Sequence, residues 1–102
     1  YTQIIGITPI SNEIPFEFSL SQNYPNPFNP MTNVKFQIPN EAFVELKIFN
    51  VLGKEIATLV NEELKPGTYE VNWDATNEPS GTYFYTLVTE SYTETKKLVV
   101  LK

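Results

Sequence analysis

No histidine and no cysteine occurs in this sequence. That removes the common nucleophile and base pairs, the zinc-ligand spacings and the histidine general acids. Carboxylate chemistry is what remains. A glycosidase needs only two carboxyl groups, but they must face each other across a cleft. Glu62 and Glu63 are adjacent and read as solvated turn residues, so the residue types argue against an enzyme and assign no catalytic, metal or cofactor-binding residue.

Three weaker possibilities stand against plainer readings. Asp74, ahead of Ala75-Thr76-Asn77, offers one carboxylate to Ca²⁺, which is thin for a hard ion wanting six to eight oxygens. A carboxylate capping its own loop through backbone amides is the simpler reading, and it serves equally for Asn23, Asn26 and Asn29. Trp73 and the tyrosines suggest a sugar-stacking platform, hence a carbohydrate-binding module, yet Trp73 falls on the apolar parity of its strand and reads as core. Pro27-Phe28-Asn29-Pro30 fits P-x-x-P, but an Asn-rich turn explains it better than polyproline recognition.

Charge narrows the partners. Seven lysines, no arginine and twelve acidic residues give a net charge of −5, opposite in sign to a nucleic-acid or anionic-lipid surface. No apolar run approaches the roughly 20 residues of a membrane-spanning helix, and no secretory signal peptide opens the chain. It begins at Tyr1, not Met, and reads as a piece of a larger protein. Without cysteine the fold is indifferent to redox compartment.

The elements that position these residues are strands. Asn23-Tyr24-Pro25-Asn26-Pro27-Phe28-Asn29-Pro30 excludes helix and central strand, because each proline fixes φ, lacks a donor and restricts the residue before it. The Asn side chains can bond backbone two residues on, making a folded irregular turn that Tyr24 and Phe28 anchor to a core. Around it, large residues alternate with polar ones: Phe16, Phe18 and Leu20; Val34, Phe36 and Ile38; Val44, Leu46 and Ile48; Tyr69, Val71 and Trp73; Tyr83, Tyr85 and Leu87. Ile56 to Val60 reads as a return strand after the Asn50 to Gly53 turn, and Leu98 to Leu101 as the last strand. Lys65-Pro66-Gly67-Thr68 has the residues of a type II turn, and Glu78-Pro79-Ser80-Gly81 those of a type I turn.

Short strands at roughly 8 to 12 residue spacing indicate an all-β antiparallel sandwich. Phe18, Phe36, Trp73, Tyr83 and Tyr85 are its expected aromatic core. Residues 1–15 read as a linker or the end of a preceding domain, and 16–102 as the domain proper. The competing reading of Ile4 to Ile10 is an extra strand on an exposed sheet edge of this chain or a neighbouring one.

The run from Leu20 to Pro39, with Ile48-Phe49-Asn50-Val51-Leu52-Gly53, Gly67 to Asp74, Ser80 to Tyr85 and Thr95 to Lys102, resembles the type A C-terminal sorting domain of the type IX secretion system. The resemblance spans Phe16 to Lys102, with five blocks in the family's order. It implies an immunoglobulin-like β-sandwich of about seven strands, without the Cys and Trp pattern of antibody domains. It also implies a non-enzymatic signal that carries a covalently linked upstream cargo through the periplasm to the cell surface or medium. An outer-membrane translocon would recognise it and a sortase would remove it. By position, Lys97 and Lys102 match the last-strand lysines of that signal. The residues assigned to recognition are Asn26, Pro27, Phe28, Asn29, Lys97 and Lys102, and those assigned to turns are Gly53, Gly67 and Gly81. The alternatives are a carbohydrate-binding module or a structural spacer.

Overall fold

A computed structural model describes residues 7–11 and 13–102. Eight strands form two antiparallel sheets: β1 (Thr8–Ser11), β2 (Ser19–Leu20), β3 (Met31–Ile38) and β6 (Gly67–Asp74) in the order β1-β6-β3-β2, and β4 (Ala42–Phe49), β5 (Glu55–Leu64), β7 (Gly81–Val88) and β8 (Thr93–Val100) in the order β5-β4-β7-β8. The expected all-β sandwich is present, with eight strands among the described residues against the seven anticipated. The second sheet carries the C-F-G strand succession of an immunoglobulin domain as β4-β7-β8, with β5 added beside β4. In the first, β1 stands where that fold places its fourth strand.

The parity argument holds across the interface. Val34, Phe36 and Ile38 of β3, Val44, Leu46 and Ile48 of β4, Val71 and Trp73 of β6, and Tyr83, Tyr85 and Leu87 of β7 are all buried. Their neighbours along each strand turn outward. Each large side chain taken fully out of water contributes about 1.5–3 kcal/mol, and with no disulfide this burial is what joins the sheets. Trp73 meets Tyr83 edge-on at 5.6 Å, while Phe36 stacks on Tyr69 at 5.6 Å. Two of the buried hydroxyls are satisfied locally: Tyr69 donates to the Lys65 carbonyl and Tyr83 to the Pro79 carbonyl, both at 2.7 Å. The Tyr83 bond, reaching four residues back from near the start of its strand, is the tyrosine corner of immunoglobulin-like sandwiches. No buried side-chain N or O among the described residues lacks a partner.

Several sequence expectations are corrected. The strand expected over Phe16 to Gln22 is only Ser19–Leu20; Phe16 is fully exposed and Phe18 half-buried. The cause is topological. β1 lies on the β6 edge of its sheet and β2 on the opposite edge, so the intervening chain must cross about three strand spacings, roughly 14 Å. Phe18 instead stacks on Tyr92 at 5.0 Å. Tyr24, expected to anchor the Asn/Pro turn, is 79% exposed.

The return strand is longer than expected, Glu55–Leu64, because Asn61–Leu64, with the Glu62 and Glu63 read as turn residues, keep pairing with Ala42–Glu45, and a register shift between Leu46 and Lys47 leaves Leu59 unpaired. Leu59 and Val60 are therefore buried in succession, as a bulge permits. β8 likewise begins at Thr93, ahead of the apolar run, since its polar half pairs with β7 in register. Gly67 has φ +156°, unlike the φ near +80° of a type II turn, and opens β6 directly after Lys65 and Pro66 carry the chain between sheets. The amide-to-carbonyl bond of the loop before β7 joins Glu78 to Ala75, upstream of the expected turn.

Thr8–Ser11 pairs antiparallel with Thr68–Glu70 of β6. Part of the expected Ile4 to Ile10 strand lies outside the described residues, and its described part forms this pairing.

Candidate recognition surface

One end of the sandwich gathers the Asn/Pro turn (residues 23–30), the β4–β5 turn, the β6–β7 loop and the chain terminus. β3 starts there, while β4, β6 and β8 finish there. Its foundation is Asn23, 2% exposed. The Asn23 amide N–H donates to the Tyr85 hydroxyl at 2.8 Å, and that hydroxyl donates to the Ser21 carbonyl at 2.7 Å. Burial is the first cause that pushes the Tyr85 phenol up to about 12, and the charge of Glu94 adds to it. The Asn23 side-chain amide donates to the Pro25 carbonyl at 3.1 Å, two residues on as anticipated, and to the Thr32 hydroxyl at 2.9 Å. Thr32 donates to Pro25 in turn.

From this base the turn reaches across to the other sheet. β8 is an edge strand, whose outward backbone groups would otherwise be open to any passing strand. The turn covers its last residues. Phe28 N–H donates to the Val99 carbonyl at 3.1 Å, and Leu101 N–H donates to the Phe28 carbonyl at 3.0 Å. Val99 N–H donates to Asn26 Oδ1 at 3.0 Å, and the Gln22 side chain donates to the Lys97 carbonyl at 2.8 Å. Phe28, 3% exposed, inserts between the layers with its ring 5.8 Å from Trp73. Three prolines could not form this ladder with their own amides; Asn26 and Phe28 supply the missing groups.

The expected recognition residues therefore divide. Asn26, Pro27 and Asn29 are exposed on the turn, whereas Phe28 is core. Lys97 is exposed and sits opposite Phe84 in the β7–β8 register. Lys102 is tied to the β6–β7 loop: its amide donates to Ser80 Oγ at 2.9 Å and its ammonium to the Thr76 carbonyl at 2.6 Å. Turn and tail, 73 residues apart in sequence at the Asn26–Val99 bond, form one surface. Among the described glycines, Gly53 alone has the left-handed turn geometry, φ +83°, while Gly67 and Gly81 stand at strand starts.

Asp74 caps its own loop. Its Oδ1 accepts from the Thr76 amide at 2.9 Å and the Thr76 hydroxyl at 2.5 Å, which holds the carboxyl below its usual range. The sugar-stacking platform is not formed, since Trp73, Tyr83 and Tyr85 lie between the sheets.

Sequence reasoning missed Gln22, whose long-range bond leaves no local signature. It also missed the side chains at the tip of the β4–β5 turn, where only the glycine was read. Val51 and Leu52 stand out there at 65% and 88% exposure.

A family model described as secretion system C-terminal sorting domain matches residues 22–101. No curated protein and no solved structure matches the chain. The matched span opens one residue before Asn23 and closes on Leu101, the residue whose amide the turn receives.

Proposed function

The chain belongs to the secretion system C-terminal sorting domain family, and we propose that it acts as an inert folded label whose turn-and-tail end is the surface read in type IX secretion. A member of this family is a sorting signal attached to a cargo protein, recognised by the secretion machinery, and destined for the cell surface or medium. The family is not an enzyme family.

The domain proper is residues 16–102, with β1 of the preceding segment added to its first sheet, and the chain before β1 links to the cargo. The outer-membrane translocon recognises Asn26, Pro27 and Asn29 together with Lys97 and Lys102, after passage through the periplasm. Phe28 acts indirectly by holding the turn in shape, and Gly53, Gly67 and Gly81 keep the neighbouring turns in place. A sortase then cuts the exposed chain before β2, and catalysis by the domain itself forms no part of its role. Pairing with a neighbouring chain falls to the sheet edges that remain open, those of β5 and β1. The observation that carries the reading is the backbone ladder from Asn26 and Phe28 to Val99 and Leu101. It supports a rigid composite epitope, because a reader touching the tail also touches the turn.

The test is a periplasmic reporter carrying residues 1–102 in a type IX-competent host. Export of the reporter is expected with the intact chain. Loss is expected when Glu94 to Lys102 is deleted, and also in the folded double variant Lys97→Ala with Lys102→Ala. An intact fusion that stays in the periplasm would refute the reading.

A further inference from the structure

The turn between β4 and β5 carries an anomaly that folding does not require. A tip that only reverses the chain favours polar residues and glycine, yet this one is Asn50-Val51-Leu52-Gly53 with both aliphatic side chains in water. Nor is it a loose loop. Asn50 Oδ1 accepts from the amides of Leu52 at 2.9 Å and Lys54 at 3.0 Å. The Gly53 amide donates to the Asn50 carbonyl at 2.9 Å, and the Asn50 amide to the Lys54 carbonyl at 3.0 Å. These bonds use Asn50 and the left-handed Gly53. Val51 and Leu52 contribute little burial, so two apolar side chains are held out rigidly at no gain to the fold.

Beside them lies a cleft of about 240 Å³, lined on one wall by Val51 and Leu52 and on the other by Pro79, Gly81, Thr82 and Tyr83. The next residue, Lys54, is exposed and joins no ion pair among the described residues; its neighbour Glu55 is engaged by Lys47 at 3.3 Å. The far end of the sandwich gives a contrast. There the half-exposed Phe43 borders a depression shared with Glu45, Glu63 and Glu90. Around the cleft Lys54 and Lys102 balance Asp74 and Glu78, whereas the far depression holds carboxylates without a lysine, so an acidic partner is repelled at Phe43 and met by an ammonium at Lys54.

Building on the sorting-signal reading, we propose that the Val51–Leu52 tip and its cleft are a second docking point for the secretion machinery. The partner it fits presents an apolar side chain, which enters the cleft, flanked by a carboxylate, which pairs with Lys54. The rigid tip is suited to this because little conformational freedom is lost on binding. It lies on the same end as Asn26 and Lys102, so one partner can cover both.

The experiment uses the same reporter fusion of residues 1–102. The double variant Val51→Asp with Leu52→Asp should lower extracellular reporter about tenfold or more, as loss of a central apolar contact does. Leu52→Met, which keeps the apolar surface, should stay within about twofold, and Lys54→Glu should cost about threefold, the scale of a rim charge. Melting curves of the purified variants should match the parent, because the substituted side chains are exposed. Export of the double Asp variant at the parental level overturns the proposal while leaving the sorting signal intact. An unexported parental fusion sinks the sorting reading and this inference with it. A purified parental chain that sediments as a dimer, and becomes monomeric with both Asp substitutions, assigns the cleft to a second copy and overturns the partner chosen here.

Discussion

The two ends of the sandwich are built differently. At the turn-and-tail end, hydrogen bonds link residues more than sixty positions apart: Asn23 to Tyr85, Gln22 to Lys97, Asn26 to Val99. At the other end, the bonds mostly close single turns, such as Tyr69 to Lys65 and Thr89 to Tyr92. Charge divides in the same way. Glu13, Glu17, Glu41, Glu62, Glu63 and Glu90 belong to the second end or its connections, against Lys65, whereas at the first Lys54 and Lys102 balance Asp74 and Glu78. The difference teaches that the Asn/Pro segment is a piece of edge protection rather than a spacer. It closes the last strand of a sheet that the fold would otherwise leave open, and it does so with the residues that resist forming a strand themselves.

If that is right, emptying the turn of its anchor should be the most damaging small change. Phe28→Ala removes a ring that is 3% exposed and touches Trp73; the expected loss is about 3–5 kcal/mol in urea unfolding. The matched change at the other end, Phe43→Ala, removes a side chain that is 49% exposed and should cost less than about 1 kcal/mol. Equal costs at the two ends would dissolve the distinction.

The sequence made one half of this contrast readable and hid the other. Strand parity exposed the core because period-2 alternation is a local property, so Val34 to Ile38 and Tyr83 to Leu87 could be assigned without knowing their partners. Proline chemistry likewise marked residues 23–30 as irregular. What no local pattern carries is the partner of an irregular segment. That Asn26 accepts from Val99, or that Phe28 rather than Tyr24 turns inward, depends on which sheet edge lies beside the turn. The same limit explains Phe16: its alternation with Phe18 and Leu20 is real, but the crossing between opposite edges of one sheet uses that stretch for distance.

A second test acts on the base of the turn. Tyr85→Phe keeps the ring and deletes the hydroxyl that joins Asn23 to Ser21, leaving a buried amide and a carbonyl short of a partner. The expected cost is about 1–3 kcal/mol. It also changes the pH dependence. Because the folded-state value is raised from 10.0 to about 12, the stabilisation is complete below the tyrosine's ordinary range. It is lost as pH climbs through the interval up to the folded value, where the unfolded chain ionises first. Tyr92, on the opposite side, is also pushed up to about 12 by burial and by Glu94, so both contribute to alkaline unfolding. Tyr85→Phe should reduce the slope of stability against pH in that interval, measured by denaturant titration at a series of pH values. An unchanged slope would place the alkaline sensitivity at the other phenols that burial pushes up, Tyr92, Tyr69 and Tyr83.

Smaller still is the contact that meets the strand edge directly. Asn26→Ala deletes the acceptor of the Val99 amide while the Phe28 bonds on either side persist. Since that amide is near water, the loss should fall at about 0.5–1.5 kcal/mol. The sharper readout is hydrogen exchange, which should quicken at Val99 and Leu101 while amides of β3 and β6 keep their protection. Quickening at Leu101 as large as at Val99 would mean that the Phe28 bonds do not persist, and exchange that quickens everywhere would mean the turn supports the whole core rather than one edge.

The smallest effect on stability should come from Lys102, and this is where structure and signal separate. Its ammonium donates to the Thr76 carbonyl, its amide to Ser80, and both groups are at the surface. Lys102→Ala keeps the backbone bond and gives up one exposed side-chain contact, so stability should move by no more than about 0.5 kcal/mol. Glutamate at the same position removes that contact equally and reverses the charge. If Lys102 only fastens the β6–β7 loop, the two substitutions should behave alike in unfolding and leave export untouched. If its charge belongs to the surface that is read, export of the reporter should fall for alanine and fall further for glutamate while the melting curves remain superimposable. That ordering is one that loop fastening alone cannot produce.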